Sequence, residues 1–572
     1  MKKIILSLMA GMVLFTSCDL LNNDPYDSFT KGNFFSSETN VEMYTNYFYS
    51  EWSGYGNNGS YGTFYFPTLN DNQAVTGITT WDFTTISADD ATWNASYAEI
   101  RRANILLENL AGVPMSDASM AYYQSLGRLY RAWQHFCVVR KFGDCYWVDH
   151  SLSTEDQDIL YGPRQNRNDV MDKMLEDLNY AVENMGEKNA SSRTAYNVYV
   201  AQAIKAQICL FEGTYAKYHK DDKARSDKYL AEAKKAAEAI INSGEFALTP
   251  GAEGHRANYN SLELAGNTEM IMYKNYVQNI LRHATQDYCC GSTPTNGMSK
   301  SAFNAYLLKD GSIADPNDDH GTLGTEGYDD GKPVIYDLLA ARDPRLAQHI
   351  DGYLCYVGNN RARYEGVAGQ ETAAQNTVTT GYGILKFDEP ETPASLRQST
   401  TGNVTDCPLF WLAEILLTHA EACAELGEDA KAIASLNAVR TRAGMPAYKE
   451  IADPANVANA AVGIKAVSNL LWEIRRERRV ELMFDNNDRY WSLIRWHELG
   501  RLDTEVYPDQ TLGAWIEKGW PVGDGLKLTN GDHGYIDLKD TYVRKYDEKH
   551  YLAPIPSSQS VLNPAIGQNP GW

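Results

Sequence analysis

The feature that most constrains the fold is an apolar stripe at helical spacing that returns along the chain. Val170, Met174, Leu175, Leu178, Ala181, Val182 and Met185 recur every three or four residues, which places them on one face of an α-helix and leaves the polar residues between them to water. Comparable stripes run through Ile100 to Leu110, Leu126 to Phe142 and Tyr196 to Phe211, followed by the alanine-rich Tyr229 to Ile241, which Asn242-Ser243-Gly244 stops. Towards the other end, Leu409 to Leu426 and Ala430 to Arg442 flank Gly427 as a helical hairpin closed by Gly444 and Pro446. Two further helices are predicted over Val467 to Phe484 and Arg489 to Leu499. A helix with one wet face and one apolar face must bury the second, so these helices have to pair.

Helix pairs joined by short turns, with alanine where two helices press together, are similar to tetratricopeptide-type repeats, although the period is not a clean 34 residues. The predicted fold is therefore mainly α, a tetratricopeptide-like helix-pair scaffold interrupted by long irregular segments. Gly54 to Asp90 is rich in Gly, Tyr, Asn and Thr, and Gln278 to Gln398 in Gly, Asp, Asn and Thr. Loops of that length in a globular chain are functional or disordered, and their aromatic content favours order. Tyrosine outnumbers phenylalanine by 37 to 16, a bias towards rings that keep one edge in water. It points to a polar ligand surface.

The first residues read as an export signal. Lys2 and Lys3 precede an apolar run from Ile4 to Phe15, then Thr16, Ser17 and Cys18; the run is shorter than the roughly 20 residues a spanning helix needs. Leu14-Phe15-Thr16-Ser17-Cys18 resembles a bacterial lipobox, which makes 1–17 a signal peptide, Cys18 the lipidated residue and 18–30 a polar tether. A net charge of −22 excludes nucleic acid as a partner, because phosphate binding needs a basic face. The eight cysteines after Cys18 are scattered, with neither zinc spacing nor a readable disulfide framework.

Further motifs name a family. Trp93-x-x-x-Tyr97-x-x-Ile100 precedes Asn104, and Arg128-x-x-Arg131-Ala132 leads to Phe142-Gly143-Asp144. Arg342-Asp343-Pro344-Arg345-Leu346, Leu412-Ala413-Glu414 and Glu473-x-x-Arg476-Glu477-Arg478-Arg479-Val480-Glu481-Leu482 follow, and the chain closes on Gln568-Asn569-Pro570-Gly571-Trp572. Over nearly its full length the chain resembles the SusD/RagB family of outer-membrane nutrient-binding lipoproteins of Bacteroidetes; it departs at Trp411, where family members often carry arginine. The resemblance implies a SusD-like region over 31–270, a loop-rich segment over 271–404 and a second helical region over 405–572, with the irregular segments shaping the ligand side. It also implies non-catalytic binding of oligo- or polysaccharide at the cell surface, a lipid anchor in the outer membrane, and delivery to a TonB-dependent, SusC-like transporter. Peptide cargo in the same family and a surface hydrolase are the alternatives. The charges from Glu473 to Leu482, three and four residues apart, suit pairs within the helix and between helices more than chemistry.

A sugar binder needs aromatic faces beside hydrogen-bonding groups. Trp81, in a Thr-rich loop with no stripe to bury it, is the first stacking candidate, with Asn70 and Asp71 as polar partners and Tyr288 as an opposite wall. Trp93 is included, although its place at a helix start suits core packing; Asn70, Asp71 and Asn72 also suit Asx turns. Tyr61 and Tyr65 are weaker candidates. Gly54 to Gly59 fits GxGxxG without the strand and helix that a dinucleotide site needs. Asp315, Asn317, Asp319 and Glu326 fall at calcium-loop positions, but His320 stands where the loop needs glycine. No cofactor, metal site or catalytic residue is assigned, and a structural calcium there is the one metal considered.

Overall fold

The stripes become helices, and those of the first block are each started by a residue type that satisfies free backbone N–H groups. In the computed structural model, which describes residues 34–75, 81, 84–251, 253–290, 296–325, 331–360, 377–541 and 543–572, α1 (Ala91–Asn109) is capped by Asp90 and α2 (Asp117–Phe142) by Ser116. The expected signal peptide, Cys18 and tether lie outside the described residues. Asn166 caps α3 (Arg167–Asn184), Asn197 caps α4 (Val198–Lys220) and Asp222 caps α5 (Lys223–Ile241). Successive helices pack as pairs, α1 on α2, α2 on α3 and α4 on α5. Close approach is purchased with glycine: a Cβ on Gly213 of α4 would lie 2.7 Å from Leu230 Cγ of α5, and one on Gly127 of α2 2.9 Å from Leu107 of α1.

The second helical block repeats the arrangement with α6 (Leu412–Glu425), α7 (Asp429–Arg442), α8 (Asn469–Glu481) and α9 (Asp488–Arg495). Helix α6 packs on α7, on α8 and back on α5, so the two blocks share one core. Several predicted boundaries move: α1 and α2 begin nine residues earlier than their stripes and α4 runs on to Lys220. Cys407–Trp411 is a strand, not the start of α6, and its side chains are buried on both faces against Met270–Lys274. Helix α8 stops at Glu481, ahead of Phe484 at φ 69°. Helix α9 stops at Arg495, ahead of His497 at φ 57°; these left-handed residues cannot continue a right-handed helix.

Helix α8 carries the charged signature, and its charges are spent on neighbours. Arg440 of α7 binds Glu473 and Glu477, Arg442 binds Glu481 and Glu269, and Arg345 bridges Asp343, Glu477 and Glu481 at 2.6–2.8 Å. All are buried, where losing one partner of a charged pair costs far more than the pair itself contributes.

Short antiparallel strands tie the loops to this scaffold. Strands β1 (Gly56–Asn57) and β2 (Ser60–Tyr61) form a hairpin, β3 (Gln73–Val75) pairs with β5 (Asn296–Met298), and β4 (Met270–Lys274) pairs with β6 (Cys407–Trp411). The last residues lock back onto α2: Asn569 donates to the carbonyls of Phe142 and Ala553 and accepts from Arg164. The seven cysteines whose side chains are described are all buried.

Candidate ligand-binding surface

Asn58-Gly59, both at positive φ (38° and 112°), make the two-residue turn of the β1–β2 hairpin, a pairing that suits this turn because the backbone there must be left-handed. Asn58 exchanges hydrogen bonds with Arg282, its N–H donating to the carbonyl at 2.8 Å and its Oδ1 accepting from the N–H at 2.9 Å. The hairpin is thereby held beside the segment that leads into the short helix Thr285–Cys290. That helix is itself fixed by Asn403, whose Oδ1 accepts from the N–H of Gln286 and of Asp287.

Three rings meet at this junction. Tyr61, 60 % exposed, stacks on Phe66 with centroids 4.5 Å apart and planes 23° from parallel. Tyr288 stands edge-on to both at 5.5 Å, and the Tyr61 and Tyr288 hydroxyls are 3.2 Å apart. Beneath them Tyr65 is buried at φ 64°. Its hydroxyl donates to the Tyr288 carbonyl at 2.5 Å, its N–H donates to Phe484 O, and its carbonyl accepts from Gln73. A left-handed tyrosine costs about 1–2 kcal/mol, offset here by three tertiary hydrogen bonds, and the bend sets Phe66 beside Tyr61. The hydrogen bond from Tyr61, with burial, pushes the Tyr288 phenol up to about 12. It stays a neutral donor and acceptor at physiological pH. The arrangement offers aromatic faces for C–H groups and phenol edges for hydroxyls.

Of the five leading site candidates, Tyr288 alone lies on this surface, joined by Tyr61 from the weaker pair. Trp81 is corrected: it is 9 % exposed, stacked on His550 at 4.1 Å, with its Nε1 donating to Lys545 O at 3.1 Å. The closing segment covers a ring for which the local sequence shows no burial stripe. Trp93 is a core residue, edge-on to Phe142 at 5.1 Å. Asn70 makes the Asx turn, accepting from the Asn72 N–H at 2.8 Å and donating to Pro67 O. Asp71 is buried and holds Arg489 at 2.7 and 2.8 Å, with Arg479 3.2 Å away. Burial alone would raise its carboxyl, but these two guanidiniums hold it well below the usual range. Tyr61 proves more prominent than its sequence context indicated. Phe66 was missed, and the Asn-Gly turn flanked by aromatics was the signal that pointed to it.

The calcium positions are otherwise engaged. Asp319 binds Lys300 at 2.9 Å and accepts from the Tyr535 hydroxyl at 2.8 Å, while Asp315 caps the Asn317 N–H; Glu326 lies outside the described residues. Among the described residues no group of three or more His, Cys, Asp or Glu is placed to hold a metal ion.

A helix-pair scaffold whose irregular segments gather aromatic rings at the surface defines a mainly α, tetratricopeptide-like protein. The chain belongs to the SusD family, whose model matches residues 265–572; a second model, described as starch-binding associating with outer membrane, matches 20–210. A SusD-like protein of Formosa agariphila is 24% identical over 412 residues, 70% of this chain and 71% of that one. The crystal structure of a SusD-like protein from Bacteroides fragilis superposes with a TM-score of 0.66 at 20% identity, covering 96% of this chain and 100% of that one. A laminarin-binding SusD-like protein superposes with a TM-score of 0.56 at 18% identity, covering 94% and 100%.

Proposed function

We propose that this protein is a non-catalytic, lipid-anchored receptor of the outer membrane that binds oligo- or polysaccharide at the cell surface and passes it to a TonB-dependent transporter. The observation that carries the reading is the cluster of exposed Tyr61 with half-buried Phe66 and Tyr288 at the surface. Stacked and edge-on rings with phenol edges suit a ligand that alternates C–H faces with hydroxyls. The starch-binding description of the N-terminal match and the laminarin ligand of a structural relative support the same class. Each ring contributes about 1 kcal/mol, roughly fivefold in affinity, so single-site binding is weak and repetition along a polymer strengthens it.

Calorimetry of the detergent-purified chain with laminarin and starch oligosaccharides tests this. Tyr61→Ala and Tyr288→Ala are each expected to weaken binding roughly fivefold. Unchanged affinity in both variants would remove the surface from the ligand site, and absence of binding to any glycan would remove the substrate class.

A further inference from the structure

A cavity of about 940 Å³ runs along one side of α8, and its lining shares no residue with the aromatic surface. Trp472, Arg475, Arg476 and Arg479 line it from positions i, i+3, i+4 and i+7, one helix face. Arg489 and Arg501 complete the cationic wall. Arg476 is matched by Asp453 and Glu473. The remaining four arginines draw mainly on two carboxylates. Asp71 serves Arg479 and Arg489, and Glu498 serves Arg475 and Arg501, with Glu425 3.7 Å from Arg475. Among the described residues, Nη1 of Arg479, Nη1 of Arg489 and both Nη groups of Arg501 make no hydrogen bond. None of them is sealed from the cavity. Burial and the neighbouring Arg489 and Arg501 push Arg479 down to about 9 in spite of Asp71. Guanidinium N–H groups are therefore left without an acceptor at this wall, while the lining as a whole sets Asp71, Asp315, Asp453, Glu498 and Asp509 against its five arginines.

The rest of the lining has a different character. Asp315 and Asp509 line the cavity without forming an ion pair with these arginines among the described residues, and Tyr507, Ile313 and Val457 add apolar surface. A polyanion would be repelled by the two carboxylates; a polyol with one planar negative group meets a matching partner at each wall, since a guanidinium fork fits a carboxylate. We propose that this cavity is a second binding site, for a uronate sugar whose carboxylate is received by the free Nη groups of Arg479, Arg489 and Arg501. It stands apart from the glycan reading of the aromatic surface, and either can fail without the other.

Calorimetry of the detergent-purified chain with methyl glucuronide, and with methyl glucoside as its neutral match, provides the test. The glucuronide should bind at least tenfold more tightly. Arg479→Gln would also remove the contacts to Asn72 and Ser301, so the informative variant is Ser301→Asp, which puts a carboxylate beside Arg479 without removing an arginine. It should keep Tm, lower glucuronide affinity tenfold or more and leave laminarin binding unchanged. If Ser301→Asp lowers Tm, Val506→Glu on the exposed rim provides the same competition. Equal binding of glucoside, undiminished glucuronide binding in the folded variant, or sulfate competing as strongly as the glucuronide would overturn the assignment.

Discussion

Trp81 is clamped between an imidazole and a backbone carbonyl that both belong to the closing segment, 464 residues away in the case of Lys545. Truncating it opens a cavity where helix entry and chain closure meet. Trp81→Ala is expected to cost about 3–5 kcal/mol of stability, read as a lower urea midpoint with the slope unchanged. A variant of unchanged stability with lost glycan binding would instead restore Trp81 to the ligand surface. Tyr61 marks the contrast at the same scale. Its ring is exposed because an Asn-Gly turn ends the hairpin that carries it, and a turn is a local property. Whether a distant segment covers a ring is not.

The helices and the segments packed on them bury titratable groups as well as apolar stripes. Burial pushes His135, His255 and His283 down to about 3, and His219 and His349 well below the ordinary 6.5. His255 meets Glu481 at 3.2 Å and His349 at 2.7 Å, and His349 meets the Tyr306 hydroxyl at 2.5 Å, a chain with no room for two protonated rings. The unfolded chain takes up these protons near pH 6.5 while the folded one does not, so each histidine removes stability as pH falls from 6.5 towards 3. Burial raises Glu414, Glu473 and Asp485 to about 7. Their contribution is full at low pH and is lost as pH rises from the ordinary carboxyl range through 7, which opposes the histidines down to about 4.5. Below that the opposition ends. Glu421, which burial would raise but Arg495 holds at about 2, then loses its contribution too, as does Glu481, held well below the usual range by Arg442, His255 and Arg345 against its burial. Tm followed by calorimetry should fall more steeply from pH 4.5 to 3 than from 7.5 to 6. A flat profile down to pH 3 would show that these imidazoles are not held neutral.

At the scale of the whole molecule, the proposed role assigns capture to this chain and passage to a separate barrel, with Cys18 as the tether point. Among the described residues no helix is long and apolar enough to cross a membrane. Cys18→Ala should move the protein out of the membrane fraction, and gentle detergent extraction of the wild type should recover a TonB-dependent transporter with it. If the wild type purifies alone and uptake survives loss of the neighbouring transporter, the delivery role fails. The helix-pair scaffold was legible in the residues alone, because 3.6-residue periodicity, stop signals and alanine faces are written within a few turns of chain. The structural role of the Glu473 to Leu482 charges was legible for the same reason. Which aromatics reach the surface depends on contacts from distant segments. Tyr61 and Phe66 join Tyr288 through the Asn58–Arg282 hydrogen bonds and the β3–β5 pairing, while Trp81 disappears beneath His550. Exposure is set by what packs on a residue from elsewhere in the chain, and local composition holds no record of that partner.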